Sequence, residues 1–303
     1  MTVAPSSPLR YPGGKQVLTR VLATLIRLNN REGCTYAEAH AGGCGAGLSL
    51  LFSERVSRLL INDADRGIYA FWYSVLTKTG PFLQMLQDVP LSVEEWKRQR
   101  DVYLNADRYS LLRVGFATFF LNRCNRSGII ANGGLIGGIE QKGKWKLDAR
   151  FNKNGLRQRI ERIALYRGRI EATNLDALEF LHIRTIRESA SCRHFVYLDP
   201  PYFAKGRQLY LDYYSPADHA ALAGYLTAES RFLWVLSYDN VRPIHNLYRG
   251  YRKYAFNLSY SARGRRVGRE LMVVDPKLKM PSKWKGRIPA TYLGAAHLAP
   301  GKT

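Results

Sequence analysis

Asp199-Pro200-Pro201-Tyr202, at the end of the apolar run Phe195-Val196-Tyr197-Leu198, is the stretch of this chain whose residue types most directly suggest chemistry. The residue before a proline is held extended and proline fixes its own φ, so Asp199 and Pro200 are stiffened in turn and their acceptors keep fixed directions. Such an array suits an exocyclic amino group. The Asp199 carboxylate and the Pro200 carbonyl can take its two hydrogens while the Tyr202 ring offers a face for stacking on a base. The plainer alternative is a turn whose prolines only stop a strand. The carboxyl end of an apolar strand is, however, where open α/β sheets present their ligands.

Residues placed in this way need a scaffold, and the chain supplies the pattern of one. Tyr36 to Ala39 reads as a short strand, Ala41-Gly42-Gly43-Cys44-Gly45-Ala46-Gly47 as a glycine turn, and Leu48 onward as the start of a helix. Arg58 to Ile61 is a second apolar strand that ends at Asn62-Asp63, which completes a βαβ unit with an acid after its second strand. An apolar helix follows over Ile68 to Leu76. Further strands are expected at Arg169 to Ala172, leading to Asn174-Leu175-Asp176, at Phe195 to Leu198, at Phe232 to Ser237 and at Glu270 to Val274. The alternation predicts an α/β fold. Between about 91 and 162 the pattern turns helix-rich and then glycine-rich, with many Arg and Lys, so residues 1–90 and 163–303 are expected to form the core and 91–162 an insertion.

The chain has 303 residues, with 46 Lys and Arg against 24 Asp and Glu and a formal net charge of +22. Hydrophobic residues make up 46%, too many for a disordered chain. A cationic surplus of this size makes a polyanion the default partner, because each Lys or Arg set against a phosphate releases counterions. The cations also cluster. One group is Lys142, Lys144 and Lys146 around Trp145; another runs from Arg249 to Arg269 and includes Arg263, Arg265 and Arg266, with Tyr248, Tyr251, Tyr254 and Tyr260 interleaved. The four cysteines are far apart and the histidines have no ligand spacing, so no metal site is expected and the thiols read as reduced. No secretory signal and no apolar run of membrane-spanning length is visible, so a cytoplasmic protein without a membrane partner, most simply a monomer, is expected.

Four stretches in order resemble the Dam-like DNA adenine-N6 methyltransferase family. Leu9-Arg10-Tyr11-Pro12-Gly13-Gly14-Lys15 is similar to its amino-terminal motif, and Tyr36-Ala37-Glu38-Ala39-His40-Ala41-Gly42-Gly43-Cys44-Gly45 to its cofactor loop. Asn62-Asp63 and Asp199-Pro200-Pro201-Tyr202 complete the set. Asn122-Arg123-Cys124-Asn125-Arg126-Ser127-Gly128, Arg150-Phe151-Asn152 and Leu236-Ser237-Tyr238-Asp239 resemble weaker family segments. Pro12 and His40 depart from the family pattern. The resemblance implies a Rossmann-like core that binds S-adenosylmethionine, with an inserted helix-rich region that reads double-stranded DNA. It implies that Tyr11, Lys15, Glu38, Ala41, Gly42, Gly43 and Gly45 surround the cofactor, that Asp63 holds its ribose hydroxyls, and that Asp176 meets its adenine. Asp199, Pro200, Pro201 and Tyr202 would carry the transfer to adenine N6, and Arg123, Asn125, Arg126, Lys142, Lys144, Lys146, Arg263, Arg265 and Arg266 would touch DNA.

The same acceptor geometry could serve cytosine N4, an RNA base or a glutamine amide, although the charge disfavours the last. A DNA-binding homologue that has lost turnover is the reading from another class.

Overall fold

A computed structural model describes residues 6–10, 15–186, 193–203, 214–260, 266–282 and 291–293. Its strands are β1 (Cys34–Glu38), β2 (Val56–Asn62), β3 (Ile170–Thr173), β4 (His194–Leu198), β5 (Leu233–Asp239), β6 (Arg252–Tyr260), β7 (Arg266–Val274) and β8 (Thr291–Tyr292). The α-helices are α1 (Thr19–Leu28), α2 (Gly45–Phe52), α3 (Arg66–Thr77), α4 (Thr79–Asp88), α5 (Val93–Leu104), α6 (Leu111–Cys124) and α7 (Lys153–Leu165), then α8 (Ala177–Ile186), α9 (Pro216–Ala228) and α10 (Arg242–Leu247). The strands form one sheet in the order β3-β2-β1-β4-β5-β7-β6-β8. The first five in that order run parallel, and β7, β6 and β8 add antiparallel pairs at one side.

Parallel strands are covered on both faces, which is why Phe195 to Leu198 reads as a continuous apolar run. Alternate residues enter two separate cores. Tyr36, Ile61, Phe195, Tyr197 and Val235 pack with α1, α2 and α3 on one face. Ala37, Leu60, Val196, Leu198, Trp234 and Leu236 pack with α8, α9 and α10 on the other. The chain leaves β1 for β2 and β3 on one side and builds β4 and β5 on the other. The β1/β4 boundary is therefore a topological switch point, with a crevice beyond the carboxyl ends of its strands.

Local capping sets where the helices begin. Asp65 accepts hydrogen bonds from the Gly67 and Ile68 N–H groups at the start of α3, and Ser215 and Asp218 make a reciprocal capping box at α9 with Pro216 in its first turn. Helix α6 is buried from Val114 through Cys124, as expected of a helix apolar all round. It crosses α3 closely, since a Cβ on Gly115 would lie 2.3 Å from the Ala70 carbonyl oxygen. Phe116, Phe119, Phe151, Leu156 and Ile160 join the same core as α3. The segment read as an insertion does fall between β2 and β3, but it is fused to the first core.

One sequence expectation is corrected. The interleaved basic and aromatic stretch from Arg249 contains the strand β6, which had not been expected. Tyr248 and Tyr254 are buried, and so is Lys253: Tyr254, on the strand paired with β7, enters the first core, and Tyr248, just before that strand, the second. These rings pack the core and offer no face to a nucleic acid. Among the described residues no helix is long and apolar enough to cross a membrane.

Candidate active site at the switch point

The glycine loop occupies the β1 side of the crevice. Gly42 and Cys44 take left-handed conformations, with φ of 47° and 46°, and the Gly42 N–H donates to Asp63 Oδ2 at 2.8 Å. The Asp65 N–H donates to Asp63 Oδ1 at 3.0 Å, so both oxygens of this half-exposed carboxylate are oriented by backbone. Asn62, buried just before it, donates to the Ala39 and Leu175 carbonyls and accepts from the Leu175 N–H and the Thr173 hydroxyl. It ties the ends of three neighbouring strands. The loop runs against the amino-terminal segment: Cβ atoms on Gly43 and Gly45 would lie 3.4 Å from Ser7 Oγ and 3.4 Å from Gln16 Cβ.

Glu38 ends β1 and is buried, and its Oε1 accepts from the Gly47 N–H at 2.9 Å. A Cβ on Gly47 would stand 2.8 Å from Cys44 Sγ and 3.0 Å from Glu38 Oε1, so only glycine lets the first turn of α2 approach this acid. Burial pushes the Glu38 carboxyl up to about 7, with the Gly47 N–H, the Cys44 thiol and the Tyr36 hydroxyl opposing. His40 Nε2 lies 2.8 Å from the Tyr214 hydroxyl, and burial holds this imidazole neutral, its pKa down to about 3. His40 Nδ1 is buried and has no hydrogen-bond partner among the described residues.

The β4 side carries Asp199. Ser237, on β5, donates to Asp199 Oδ1 at 2.7 Å and lies 2.7 Å from the Tyr197 hydroxyl. Lys15 Nζ sits 2.9 Å from Asp199 Oδ2 and donates to the Tyr202 hydroxyl at 3.0 Å. The Tyr202 hydroxyl donates in turn to Glu270 Oε1 on β7, and Lys15 Nζ is 3.6 Å from Glu270 Oε2. Asp239, at the end of β5, accepts from the Phe203 N–H at 2.9 Å and so fixes the backbone just beyond Tyr202. Ser237 and Lys15 thus hold the Asp199 carboxylate directly, and Tyr202 and Glu270 join the network through Lys15. Burial pushes the Glu270 carboxyl up to about 7, against the pull of Lys15.

Glu38, Ala41, Gly42, Gly43, Gly45 and Asp63 are brought together on one side of the crevice, and Lys15, Asp199, Pro200, Pro201 and Tyr202 on the other. Asp176 is exposed and caps α8, accepting from the Leu178 and Glu179 N–H groups. Tyr11, Arg263 and Arg265 lie outside the described residues, as does the side chain of Arg266 at the first position of β7. Two of the residues expected to touch DNA are turned inward. Arg123 is buried, with its guanidinium spent on the Arg150 and Pro8 carbonyls. Asn125 is buried too, bonded to the Trp96 indole and to the Ile129 and Ile130 carbonyls. Asn125 braces the glycine-rich segment, and Arg123 ties α6 to Arg150 and to the amino-terminal segment.

Arg126 is exposed and lines a cleft of about 420 Å³ together with Trp96, Arg100, Asn132, Gly133 and Leu135. Lys142, Lys144 and Lys146 are exposed, and Trp145 beside them is 64% exposed. Sequence reasoning assigned no role to Glu270 and Ser237. The signal for Glu270 was a single acid opening the apolar run Leu271-Met272-Val273-Val274. Among the described residues no group of three or more His, Cys, Asp or Glu side chains could hold a metal ion.

The crevice therefore offers a rigid acceptor at β4, held by a hydroxyl and an ammonium, across from a backbone-lined loop with an oriented carboxylate. A model of the D12 class N6 adenine-specific DNA methyltransferase family matches residues 11–261. A search of curated proteins finds no match to this sequence.

Proposed function

The chain belongs to the D12 class N6 adenine-specific DNA methyltransferase family, and from that membership we propose that it transfers a methyl group from S-adenosylmethionine to N6 of an adenine turned out of duplex DNA, with Asp199 as the acceptor of the amino group. The observation that carries this reading is the placement of Asp199, gripped by Ser237 and Lys15, opposite the glycine loop and Asp63 across the switch point.

The residues on the β1 side fit the methyl donor. Asp63 offers two oriented oxygens to a pair of ribose hydroxyls. The buried Nδ1 of His40 needs a partner that the described residues do not provide. Glu38, a buried acid, gains from a nearby cation. When bound, S-adenosylmethionine supplies a methyl group already activated by its sulfonium. Glu38, Asp63, Lys15 and the backbone of Ala41 to Gly45 would hold it, and Asp176 would meet its adenine.

Asp199 works as an acceptor more than as a base. Each of its oxygens keeps a lone pair beyond those facing Ser237 and Lys15. With the Pro200 carbonyl it would take both N6 hydrogens and localise the nitrogen lone pair, so that alignment does most of the work. Turning the base out costs a few kcal/mol, which stacking on Tyr202 helps offset. Exposed Lys and Arg would set the register on phosphates, and base reading would fall to the region between Leu111 and Lys146, including the cleft beside Arg126.

Incubation of unmethylated DNA with the protein and S-adenosylmethionine, followed by nucleoside mass spectrometry, should give N6-methyladenine. Asp199→Ala should abolish transfer yet leave the affinity for S-adenosylmethionine within a few fold; wild-type turnover in this variant would sink the assignment. Asp63→Ala should weaken S-adenosylmethionine binding, and an unchanged dissociation constant would rule out the ribose role.

A further inference from the structure

Glu270 lies beyond the region matched by the family, yet it is one of the most buried acids in the protein, at 1% exposure. It faces the acceptor network and no solvent. Among the described residues, the charged and titratable groups around it are Lys15 ahead of α1, Asp199 and Tyr202 after β4, Tyr197 on β4, Asp239 at the paired position of β5 and, beyond Asp199, Glu38 on β1. At the centre of this set one ammonium, Lys15, serves two carboxyls, Asp199 and Glu270. With all three ionised the trio is short of one positive charge. A buried site of that kind either draws in a cation or takes up a proton.

Transfer from a sulfonium donor presents these two needs in sequence. Before the step the donor carries a positive charge; after it the sulfur is neutral, and the attacking nitrogen has a proton to lose. Asp199 has the Lys15 nitrogen 2.9 Å from its Oδ2, so a proton that reaches it has an onward route. A chain of hydrogen-bonding groups leads onward from Asp199 to Lys15, to the Tyr202 hydroxyl and to Glu270.

Resting on the proposed transfer to adenine N6, we propose that Glu270 is a positioning residue that takes up the N6 proton through Lys15 and Tyr202, ionised while the methyl donor is bound and protonated after transfer. The nitrogen lone pair forms the bond to the methyl carbon as the carbon–sulfur bond breaks with its electron pair left on sulfur. The N6 proton passes to Asp199. Lys15 gives one of its protons to Glu270, directly or by way of the Tyr202 hydroxyl, and regains its charge by taking the proton from Asp199; the proton leaves Glu270 for water when the products depart. The net charge of the pocket is then the same before and after the step, which avoids the penalty of creating an uncompensated buried charge.

The test is titration calorimetry at about pH 7 in two buffers of different ionisation enthalpy, comparing S-adenosylmethionine with S-adenosylhomocysteine, which lacks only the methyl group and its sulfonium charge. The wild-type protein should release about half a proton more on binding the first ligand than the second, as expected of a carboxyl that titrates near 7. A contribution from Glu38 through the ligand ammonium is common to both ligands and cancels. Glu270→Gln should abolish the difference while binding both ligands within a few fold. Its single-turnover rate at saturating donor should drop by about tenfold or more. Equal proton release by the two ligands in the wild type overturns the proposal, even if the variant fails to fold. So does a difference that persists in Glu270→Gln. Failure of the wild type to bind S-adenosylmethionine at all would overturn the cofactor reading, and this inference with it.

Discussion

Glu38 and Glu270 are both pushed up to about 7 by burial, and this has a sign that can be checked. The folded protein binds more protons than the unfolded chain between an ordinary carboxyl value near 4.5 and the folded value near 7. The contribution of Glu38 to stability is therefore full below that window and is lost as pH rises through it. Thermal melts of the ligand-free protein from roughly pH 5 to pH 8 should show the wild type losing ground to Glu38→Gln, and parallel curves would contradict the raised value. For the same reason affinity for S-adenosylmethionine should rise with pH across neutrality. At this scale the sequence was legible where a motif constrains geometry, as at Asp63 and Asp199. It was misleading where residue type alone was used. An arginine in a basic, glycine-rich segment does not reveal which way it faces, and Arg123 points inward to carbonyls, with burial and the nearby Arg10 and Arg159 lowering its pKa to about 9. Glu270 was illegible because its partners, Lys15 and Tyr202, are joined to it only by the fold.

The elements that hold these residues in place make their own predictions. Asp65→Ala removes the acceptor for two N–H groups of α3 and should cost about 0.5–2 kcal/mol in denaturant unfolding. Gly115→Ala would gain helix propensity, but its Cβ would press on the Ala70 carbonyl of α3, so a net loss of about 1–3 kcal/mol is expected. A stabilised Gly115→Ala variant would mean that α3 and α6 can move apart freely. The parallel strands were visible as apolar runs because both of their faces are covered. Strand β6 was hidden because its buried positions include Lys253 as well as Tyr254 and Phe256, and cations beside tyrosines looked like a surface for nucleic acid. What decided the matter was pairing with β7, a partner that local pattern does not specify.

For the molecule as a whole, a net charge of +22 predicts that DNA affinity falls by orders of magnitude between about 50 and 200 mM salt. A flat plot of log K against log salt would contradict phosphate-dominated binding. Replacing Lys142, Lys144 and Lys146 with alanine should reduce the slope by about 0.9 for each phosphate that these side chains neutralise. Topology adds a consequence in time. Lys15 and Tyr202 are 187 residues apart, and Glu270 follows Tyr202 by another 68. At a synthesis rate of roughly 5–20 residues per second, the first charge of the proposed acceptor network waits on the order of ten seconds or more for its partner on β7 to be made. The glycine loop and Asp63 can be in place long before then, but the acceptor side cannot, so a nascent chain that has not reached β7 lacks the network around Asp199.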